Sequence, residues 1–485
     1  MSTLSEPALT WASVAPAAPE MYLVLAACAV LLIEAFSGEK RRGLADSLTF
    51  IVLVLGALIT ALFSHVSAPT TLFHGLYVAD ELGYALKVAG FLIVAVTLVY
   101  SRAYLDQRDI MRGEYDVLCL TALLGIFVLV SANSLITVYM GVELLALSVY
   151  ALIAFDRESG VAAEAAMKYF VLSAIASGAL LYGMSIVYGM TGSLDLDVIA
   201  AHISTGHASL GVVFGLVFIV VAVAFKLGAV PFHMWLPDVY HGAPTSVTLF
   251  ISTAPQLAYF ALAFRLLAHG LAGVTVEWTQ MLVPLAVLTL IVGNLVAIAQ
   301  SNLKRMLAYS TIANVGFILL GFIAGTPAGF GAALFYTLVY ILVALGSFGV
   351  ILMASHHGFE ADSLDDYKGL YARDPLLAVI MMALMFSTAG VPPFIGFWAK
   401  LRIIQELWVT HHSALVVFAA AASVVGAFYY LRIVKLMYFD APAAGVPRPL
   451  RASRARVFLT LNAAAVLVLG LIPGPLLDLC TRILH

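Results

Sequence analysis

The sequence predicts an all-α polytopic membrane protein with about fourteen transmembrane helices. Hydrophobic residues make up 63% of its 485 residues and charged residues only 11%, and the mean hydropathy is +1.03. A water-soluble fold of this length does not hold so large an apolar share, whereas a bilayer core of about 30 Å requires about 20 apolar residues per helix. The chain is therefore expected to lie in a membrane.

Apolar runs long enough to cross a bilayer recur along the whole chain. Residues 1–18 contain no Lys or Arg, so the positive region of a secretory signal is missing and the first run is expected to be retained. The predicted spans are 19–37, 44–66, 83–101, 115–132, 133–155, 163–190, 208–230, 244–269, 278–299, 304–325, 328–355, 375–410, 413–438 and 455–478.

Basic residues gather in alternate loops between these spans, as they do on the cytoplasmic side of membrane proteins. The predicted outside loops 191–207, 270–277 and 326–327 contain no Lys or Arg. Both termini are therefore predicted to be periplasmic, which requires an even number of spans. The basic residues of the predicted inside loops are Lys40, Arg41, Arg42, Arg102, Arg108, Arg112, Arg157, Lys304, Arg305, Lys368, Arg373, Arg448, Arg451, Arg454 and Arg456.

Several functional classes find no support in the sequence. The formal net charge is -3 without a long run of one sign, so nucleic acid is not an expected partner. The three cysteines lack the close spacing of a metal or iron–sulfur site, and no Gly-rich dinucleotide fingerprint follows a strand. The loop 191–207 holds two Asp and two His, but such a loop is more often simply solvated. No cofactor or metal is therefore expected in this chain.

Three ionisable residues lie well inside apolar stretches: Glu143, Lys226 and Lys400. A charge inside hydrocarbon costs about 2.5–3.5 kcal/mol on insertion scales, so it is retained mostly where it handles ions or protons. Lysine suits proton transfer, because burial favours its neutral form and an approaching carboxylate favours its charged form. These three residues are the candidate carriers of a proton path.

Two of the predicted spans contain proline close to one of these lysines. Proline lacks a backbone donor and clashes with the preceding turn, so Pro231 should end or break the seventh span beside Lys226. Pro393 should break the twelfth span close to Lys400. Non-helical backbone at membrane depth is tolerated only against protein or a water-filled cavity. Two broken helices of opposite predicted direction indicate an inverted internal duplication, although two unrelated kinks would give the same pattern.

Glu143 in an apolar helix must either take a proton or pair with a cation. Lys226 and Lys168 are the available cations, and Lys168 lies close enough to the inside end to extend its amine to water. Polar side chains and water must bridge the remaining gaps, and His233 is the best candidate, although a lone histidine near a helix end is as often structural. Further candidates, which are helix-packing residues by default, are His241, Tyr309, Ser310, Thr311 and Asn314.

Several of these motifs together resemble the antiporter-like subunits of respiratory complex I and of Mrp-type cation/proton antiporters. Each motif alone is weak, but the set is specific and extends over most of the chain. The length, the short C-terminus and the segment 164–177 resemble family members without a long lateral C-terminal helix. The motifs are Met140-Gly-Val-Glu-Leu144, Lys226 ahead of Val230-Pro-Phe-His-Met-Trp-Leu-Pro-Asp238, His241-Gly-Ala-Pro-Thr-Ser246 and Lys304-Arg-Met-Leu-Ala-Tyr-Ser310.

This resemblance implies a domain organisation. Two inverted five-helix repeats, each with a broken helix, would occupy about 115–269 and 278–438. An N-terminal three-helix segment, 1–114, would precede them. A basic cytoplasmic loop and the last transmembrane helix would occupy 439–485.

The resemblance also implies roles for the buried charges. Glu143 would be the carboxylate of the fifth span, Lys226 the proton-carrying lysine of the first half-channel and Lys400 that of the second, with Lys168 a modulating base beside Lys226. The family usually has Lys or His in the eighth span, where Gln256 aligns in this chain. Glutamine cannot hold a proton charge near neutral pH, so waters or another polar residue would have to complete the central relay.

The function implied by the resemblance is proton translocation within a NADH:quinone oxidoreductase of the bacterial inner membrane. NADH, FMN, iron–sulfur clusters and quinone would bind to partner subunits, and the partners of this chain would be other membrane subunits of that complex. Three alternatives remain open at this point. They are an Mrp-type cation/proton antiporter subunit, a subunit of a hydrogenase-type complex and a structural scaffold that does not pump.

Overall fold

The structure of the chain is a computed structural model that describes residues 14–37, 42–66, 68–207, 209–356, 358–442, 445–450 and 452–484. The segment 1–13 and the residues Lys40, Arg41, Arg451 and His485, on which part of the predicted topology rests, lie outside the described residues.

Within the described residues the chain is helical, apart from connecting segments and one antiparallel pair of strands, β1 (Thr70–Leu72) and β2 (Tyr77–Ala79). Short 3-10 or π-helical turns lie beside some helices. The α-helices are α1 (Ala18–Ser37), α2 (Arg42–Phe63), α3 (Glu81–Gln107), α4 (Gly113–Val130), α5 (Leu135–Ile153), α6 (Gly160–Thr191), α7 (Leu196–His202), α8 (Leu210–Leu227), α9 (Trp235–Gly242), α10 (Thr245–Ala263), α11 (Thr275–Ala299), α12 (Leu303–Ile323), α13 (Pro327–Ala354), α14 (Leu370–Arg373), α15 (Pro375–Ala389), α16 (Ile395–Val409), α17 (Ser413–Phe439), α18 (Ser453–Leu471) and α19 (Gly474–Arg482).

Twelve helical segments in the described part of the chain are long and apolar enough to cross a membrane. Two predicted spans are absent from this set. One is 44–66, where α2 extends over Arg42–Phe63 and its segment Ser47–Phe63 is grouped with the shorter apolar helices. The other is 375–410, which is divided into α15 and α16. The all-α polytopic class is confirmed, whereas the count of fourteen spans stays a prediction.

Small residues allow neighbouring helices to approach closely. A Cβ on Gly183 of α6 would lie 2.7 Å from the Gly215 carbonyl oxygen of α8. A Cβ on Gly293 of α11 would lie 2.6 Å from the Ala313 backbone nitrogen of α12. Such packing matters in a bilayer, because burying apolar surface between helices gains little over contact with lipid. The helices α10, α12 and α13 are almost completely buried and form the centre of the molecule.

Two helices end within the bundle at a glycine in the left-handed conformation. Gly228 follows the last residue of α8 with φ +82°, and Gly390 follows the last residue of α15 with φ +86°. Glycine adopts this conformation without steric cost, and it lets the next N–H groups bond to the final helical carbonyls. The prediction that Pro231 itself ends the seventh span was wrong in position, because the proline lies in the turn after Gly228.

Gly396, in the first turn of α16, leaves no room for a side chain. A Cβ there would lie 1.9 Å from the Ser387 carbonyl oxygen of α15. We expect Gly396→Ala to lower the free energy of unfolding by about 1–3 kcal/mol, because overpacking forces the backbone to shift. The matched control is Gly178→Ala on α6, where nothing lies within 4 Å of the added Cβ. Thermal unfolding of the purified assembly measures both, and equal melting temperatures would contradict the close contact of α15 with α16.

Two buried ion pairs lie near the start of α3. The Lys87 Nζ is 2.6 Å from the Glu20 carboxylate and donates a hydrogen bond to the Tyr77 hydroxyl at 2.6 Å. Arg265, just after α10, lies 2.6 Å from the Asp80 carboxylate. These pairs were not predicted, because each charge lies near the end of a predicted span and its partner is distant in sequence. They connect the N-terminal helices to the centre of the bundle.

Candidate functional site

Lys226 is buried in the last turn of α8. It is 2% exposed, and its Nζ donates a hydrogen bond to the Ser173 Oγ of α6 at 2.9 Å. The adjacent carbonyl of Phe225 accepts a hydrogen bond from Trp235 Nε1 at 2.9 Å, so the indole, and not the lysine, covers this end of the helix. An ammonium has three donors, and the bond to Ser173 leaves capacity for water or a carboxylate.

Glu143 approaches the same region from α5. Its side chain is partly buried, and its Oε1 has no hydrogen-bond partner within the described residues. The Glu143 charge acts on Lys226, although the ion pairs of the described residues do not include these two. Tyr150, two turns further along α5, lies near both Glu143 and Ser173. A series of polar side chains therefore leads from Glu143 past Tyr150 and Ser173 to Lys226.

Lys400 occupies the corresponding buried position at the second break, in the second turn of α16. It is 8% exposed, and its Nζ donates a hydrogen bond to the carbonyl oxygen of Ala389, the last residue of α15, at 3.1 Å. The Nζ also lies 5.4 Å from the centre of the Phe317 ring, within cation–π range. The negative end of the α15 dipole thus serves as an electrostatic partner for the lysine.

A small cavity of about 40 Å³ lies beside Lys400, between α12, α13, α15 and α16. None of the side chains that line it is a carboxylate. Hydroxyl and amide groups can hold water and pass a proton, but they cannot balance the charge of the lysine. The polar side chains of the lining, besides Lys400, are Ser310, Thr311, Asn314, Tyr336, Tyr340, Ser347, Ser387 and Thr388.

Hydrogen bonds connect much of this lining. Tyr336 donates to Asn314 Oδ1 at 2.7 Å, and Asn314 Nδ2 donates to the Ser310 carbonyl oxygen at 2.9 Å. The Thr311 and Tyr340 hydroxyls are 2.8 Å apart. Three of the polar residues singled out in the sequence, Ser310, Thr311 and Asn314, therefore lie on the wall of the cavity beside Lys400.

Lys168 lies apart from this buried region. Its side chain is 45% exposed, and its Nζ lies 2.9 Å from both the Glu164 and the Asp238 carboxylates. Asp238 also pairs with Arg305 of α12 at 2.9 Å. Burial alone would raise the pKa of the Asp238 carboxyl, but the hydrogen bonds from Lys168 and Arg305 outweigh it and hold that pKa below its usual value. The structure thus brings Lys168 to Asp238 and not into an ion pair with Glu143.

His233 and Gln256 each have one buried polar atom without a hydrogen-bond partner among the described residues. His233 lies partly buried in the turn between α8 and α9, and its Nδ1 has no partner within the described residues. Gln256 of α10 is 2% exposed, and its Oε1 likewise lacks a partner among these residues.

The Tyr169 hydroxyl lies near those of Tyr240 and Tyr259 at the centre of the molecule. Sequence reasoning missed these tyrosines, because a buried tyrosine is usually a packing residue.

In the described part of the chain, no group of three or more His, Cys, Asp or Glu side chains has an arrangement that could hold a metal ion. In the acidic loop before α8, the Asp195 side chain caps α7, and Asp197 lies 2.9 Å from the His269 ring. Each of these two carboxylates therefore has a partner within the protein.

Relatives of this chain identify its family. A model of the transmembrane region of the NADH:quinone oxidoreductase/Mrp antiporter family matches residues 132–426. NADH-quinone oxidoreductase subunit N of Thioalkalivibrio sulfidiphilus is 53% identical over 468 residues, which cover 96% of this chain and 97% of the relative. The same subunit of Thiobacillus denitrificans is 52% identical over 470 residues, with the same coverage. The chain belongs to the NADH-quinone oxidoreductase subunit N family.

Solved structures agree with this family. A chain of respiratory complex I from Thermus thermophilus with bound aureothin is 31% identical, with a TM-score of 0.81 over 95% of this subunit and 98% of that chain. A chain of the archaeal membrane-bound sulfane sulfur reductase is 27% identical, with a TM-score of 0.84 over 97% and 96%. A chain of the Mrp complex from Dietzia shares the fold, with a TM-score of 0.83 at 22% identity over 97% of each chain. The predicted resemblance is confirmed, and the subunit is a multi-pass inner-membrane protein.

Proposed function

We propose that this chain carries protons across the bacterial inner membrane as part of the membrane arm of a NADH:quinone oxidoreductase. The observation that carries the proposal is the pair of buried lysines, Lys226 and Lys400, each at a helix break inside the bundle. The subunit is then part of a translocating enzyme without a redox site of its own. NADH, FMN, iron–sulfur clusters and quinone belong to partner subunits, and the other membrane subunits are its direct partners.

In the first half of the subunit, the proton carrier is Lys226 and the switch is its interaction with Glu143. When the carboxylate approaches, the ammonium form is stabilised and the lysine takes up a proton. When the carboxylate withdraws, burial favours the neutral amine and the proton leaves. Ser173 holds the Nζ at 2.9 Å and can accept a hydrogen bond from either form. A movement of α5 relative to α8 is sufficient to drive this exchange.

In the second half, Lys400 works without a carboxylate beside it. Its ammonium is stabilised by the Ala389 carbonyl oxygen and the Phe317 ring. Both partners come from the ends or walls of rigid helices, so a small rotation of α16 weakens them together. The hydrogen-bonded hydroxyl and amide groups of the adjacent cavity, supplemented by water, then carry the released proton.

The link between the halves does not use a charged residue at position 256. Gln256 can donate or accept a hydrogen bond but cannot store a proton. We infer that the Gln256 side chain orders water next to the hydroxyls of Tyr169, Tyr240 and Tyr259, which lie near one another in the same buried region. A chain of neutral groups transfers a proton by exchanging hydrogen bonds, and the charge is then stored on Lys226 and Lys400.

Lys168 and His233 have supporting roles in this proposal. Lys168 adjusts the first half-channel indirectly, because it holds Asp238 of α9 against α6 and α12. His233, in the turn after α8, exchanges protons between Lys226 and the aqueous side through its free Nδ1.

The proposed topology has fourteen spans, obtained by adding α2 and the divided pair α15 and α16 to the twelve apolar segments. The repeats 115–269 and 278–438 are then inverted relative to each other, and the first described helix begins on the periplasmic side. The strong clustering of Arg and Lys at one end of the helices supports this orientation. Cysteines introduced at Lys435 and Asp478 test it, because only the cysteine at position 478 should react with an impermeant reagent added from the periplasm.

We expect Lys400→Met to reduce proton pumping by about tenfold or more, because methionine preserves the apolar stem and removes the group that carries the proton. Proton uptake into inverted membrane vesicles, driven by NADH, measures it. The matched control is Lys435→Met, since the Lys435 side chain is 66% exposed and does not line the cavity. Normal pumping in an assembled Lys400→Met complex would contradict the proposal for the second half.

The alternatives are weaker on specific observations. Identity to subunit N relatives is 53%, against 22% for the Mrp chain and 27% for the sulfane sulfur reductase chain. Glu143 is the single carboxylate near Lys226 among the described residues, which does not suit a sodium site. A scaffold without pumping has no need for two buried lysines, which are costly to retain in a membrane.

A further inference from the structure

A series of hydrogen-bonded side chains leaves the cavity beside Lys400 and passes from α12 to α17 and α11. The Ser310 Oγ, on the cavity wall, lies 2.5 Å from the Tyr430 hydroxyl of α17. The Tyr430 hydroxyl accepts a hydrogen bond from the Tyr429 hydroxyl at 3.1 Å. Tyr429 in turn lies 3.2 Å from Asn294 Oδ1 of α11. Ser310, Tyr430 and Tyr429 thus form a hydroxyl row that extends beyond the cavity lining.

The hydroxyl row is buried along its whole length, as is Asn294. A hydroxyl costs free energy when it leaves water, and a hydrogen bond within the protein mainly offsets that cost. Phenylalanine in place of either tyrosine would fill the same space between the helices without it. Packing therefore accounts for the rings of Tyr429 and Tyr430 but not for their hydroxyls.

The outer end of the hydroxyl row lies towards the end of the bundle that the basic loops mark as cytoplasmic. The helix α11 ends five residues after Asn294, or about 8 Å along its axis. One turn after Tyr429, the partly exposed Arg432 donates hydrogen bonds to the Ile298 and Gln300 carbonyl oxygens, each at 3.3 Å. Polar groups therefore continue from Tyr429 to the end of α11, where water can approach.

The Tyr429 hydroxyl has one hydrogen and two acceptors within reach. It can donate to Tyr430 at 3.1 Å or to Asn294 at 3.2 Å, but its single hydrogen does not serve both fully. When Tyr429 donates to Tyr430, and Tyr430 to Ser310, the bonds of the row all point towards the cavity. When Tyr429 donates to Asn294, the row ends at an amide oxygen, which accepts the bond and passes no proton on.

We propose that the hydroxyl row is a branch of the proton path that supplies Lys400 from the cytoplasmic side. Water donates a proton to the Tyr429 oxygen, and the hydrogen of Tyr429 passes to Tyr430. The hydrogen of Tyr430 passes to Ser310, and that of Ser310 passes through water in the cavity to the Lys400 amine. One O–H bond forms for each that breaks, so every hydroxyl is neutral afterwards. The Tyr429 hydroxyl then donates to Asn294, which opposes the return of the proton.

This inference rests on the role proposed above for Lys400. It gives the second half of the chain a source of protons besides transfer through the centre, where Gln256 cannot store a proton. Asn294 is a positioning residue in this branch, because it orients the Tyr429 hydroxyl.

The experiment measures NADH-driven proton uptake into inverted membrane vesicles, with assembly of the whole complex checked on a native gel. Tyr430→Phe and Ser310→Ala each remove one hydroxyl of the row, and we expect each to lower the uptake rate by about tenfold or more. Ser310→Thr, which restores a hydroxyl, should recover most of the loss caused by alanine. The control is Tyr438→Phe on the same helix, because the Tyr438 hydroxyl has no hydrogen-bond partner within the described residues. It should match the unaltered complex.

Lys400→Met, measured alongside, separates the branch from the role of Lys400. Low uptake in Lys400→Met with normal uptake in an assembled Tyr430→Phe complex would refute the branch and leave that role intact. Normal uptake in Lys400→Met would refute the role and the branch together. An equal loss in Tyr438→Phe, or the same loss with threonine as with alanine at Ser310, would show that uptake depends on packing and would also refute the branch. If Tyr430→Phe does not assemble, the comparison of Ser310→Ala with Ser310→Thr decides.

Discussion

Lys226→Ala is expected to lower NADH-driven proton pumping by about tenfold or more, with NADH oxidation falling in parallel. The physical reason is that Lys226 is buried, is hydrogen-bonded to Ser173 and interacts electrostatically with Glu143. Replacing it with alanine therefore removes the group that stores the proton. General acid–base groups typically contribute about 10²–10⁴-fold to a proton-transfer step. Pumping and oxidation are measured in inverted membrane vesicles, and assembly is checked on a native gel.

Lys226→Arg separates a proton carrier from a fixed charge. A guanidinium keeps the positive charge but does not release its proton in a protein. Loss of pumping in both variants indicates that proton release is required, whereas normal pumping with arginine indicates a purely electrostatic role. Lys435→Ala is the control for the loss of a surface lysine. Unchanged pumping in an assembled Lys226→Ala complex would refute the role assigned to Lys226 and favour the scaffold alternative.

The buried lysines could be predicted because their signal is local. A charge in the middle of an apolar run is visible within one stretch of about 20 residues, and Lys226 and Lys400 both have this context. The helix breaks were predicted from proline, but their positions depend on Gly228 and Gly390. The chain has 37 glycines, so a single glycine does not reveal from sequence alone that it adopts the left-handed conformation.

Partner assignments that depend on distant residues could not be predicted in the same way. From its position in the sequence, Lys168 was one of the cations available to pair with Glu143. In the structure it instead donates a hydrogen bond to Asp238, which is 70 residues away in sequence. The cavity beside Lys400 likewise depends on the packing of four helices. No pattern within a single helix shows that Thr311 and Tyr340 meet there.

Arg265→Met is expected to destabilise the subunit by about 3–5 kcal/mol, because it leaves the Asp80 carboxylate buried without its counter-charge. The two side chains are 4% and 15% exposed. Thermal unfolding and the yield of assembled complex measure the effect. Arg482→Met is the matched control: its pair with Glu81 spans 3.8 Å and the arginine is 73% exposed, so about 0–1 kcal/mol is expected.

The double variant Asp80→Asn with Arg265→Met tests the physical cause of this loss. Removing the carboxylate charge as well should recover much of the stability, because the penalty comes from the uncompensated charge and not from the missing contact.

Acidification gives a second test of the same cause. Burial would raise the pKa of Asp80, but Arg265 outweighs it and holds the pKa below its usual value. The ion pair therefore contributes fully above the usual aspartate range, and its contribution is lost as the pH falls through the lowered value. The stability gap between the unaltered subunit and Arg265→Met should narrow on acidification, since Asp80 in the variant is neutralised first. A gap that is independent of pH, or a double variant as unstable as Arg265→Met alone, would show that the arginine stabilises the subunit by packing or by its hydrogen bonds to the Val130 carbonyl oxygen, and not through the Asp80 charge.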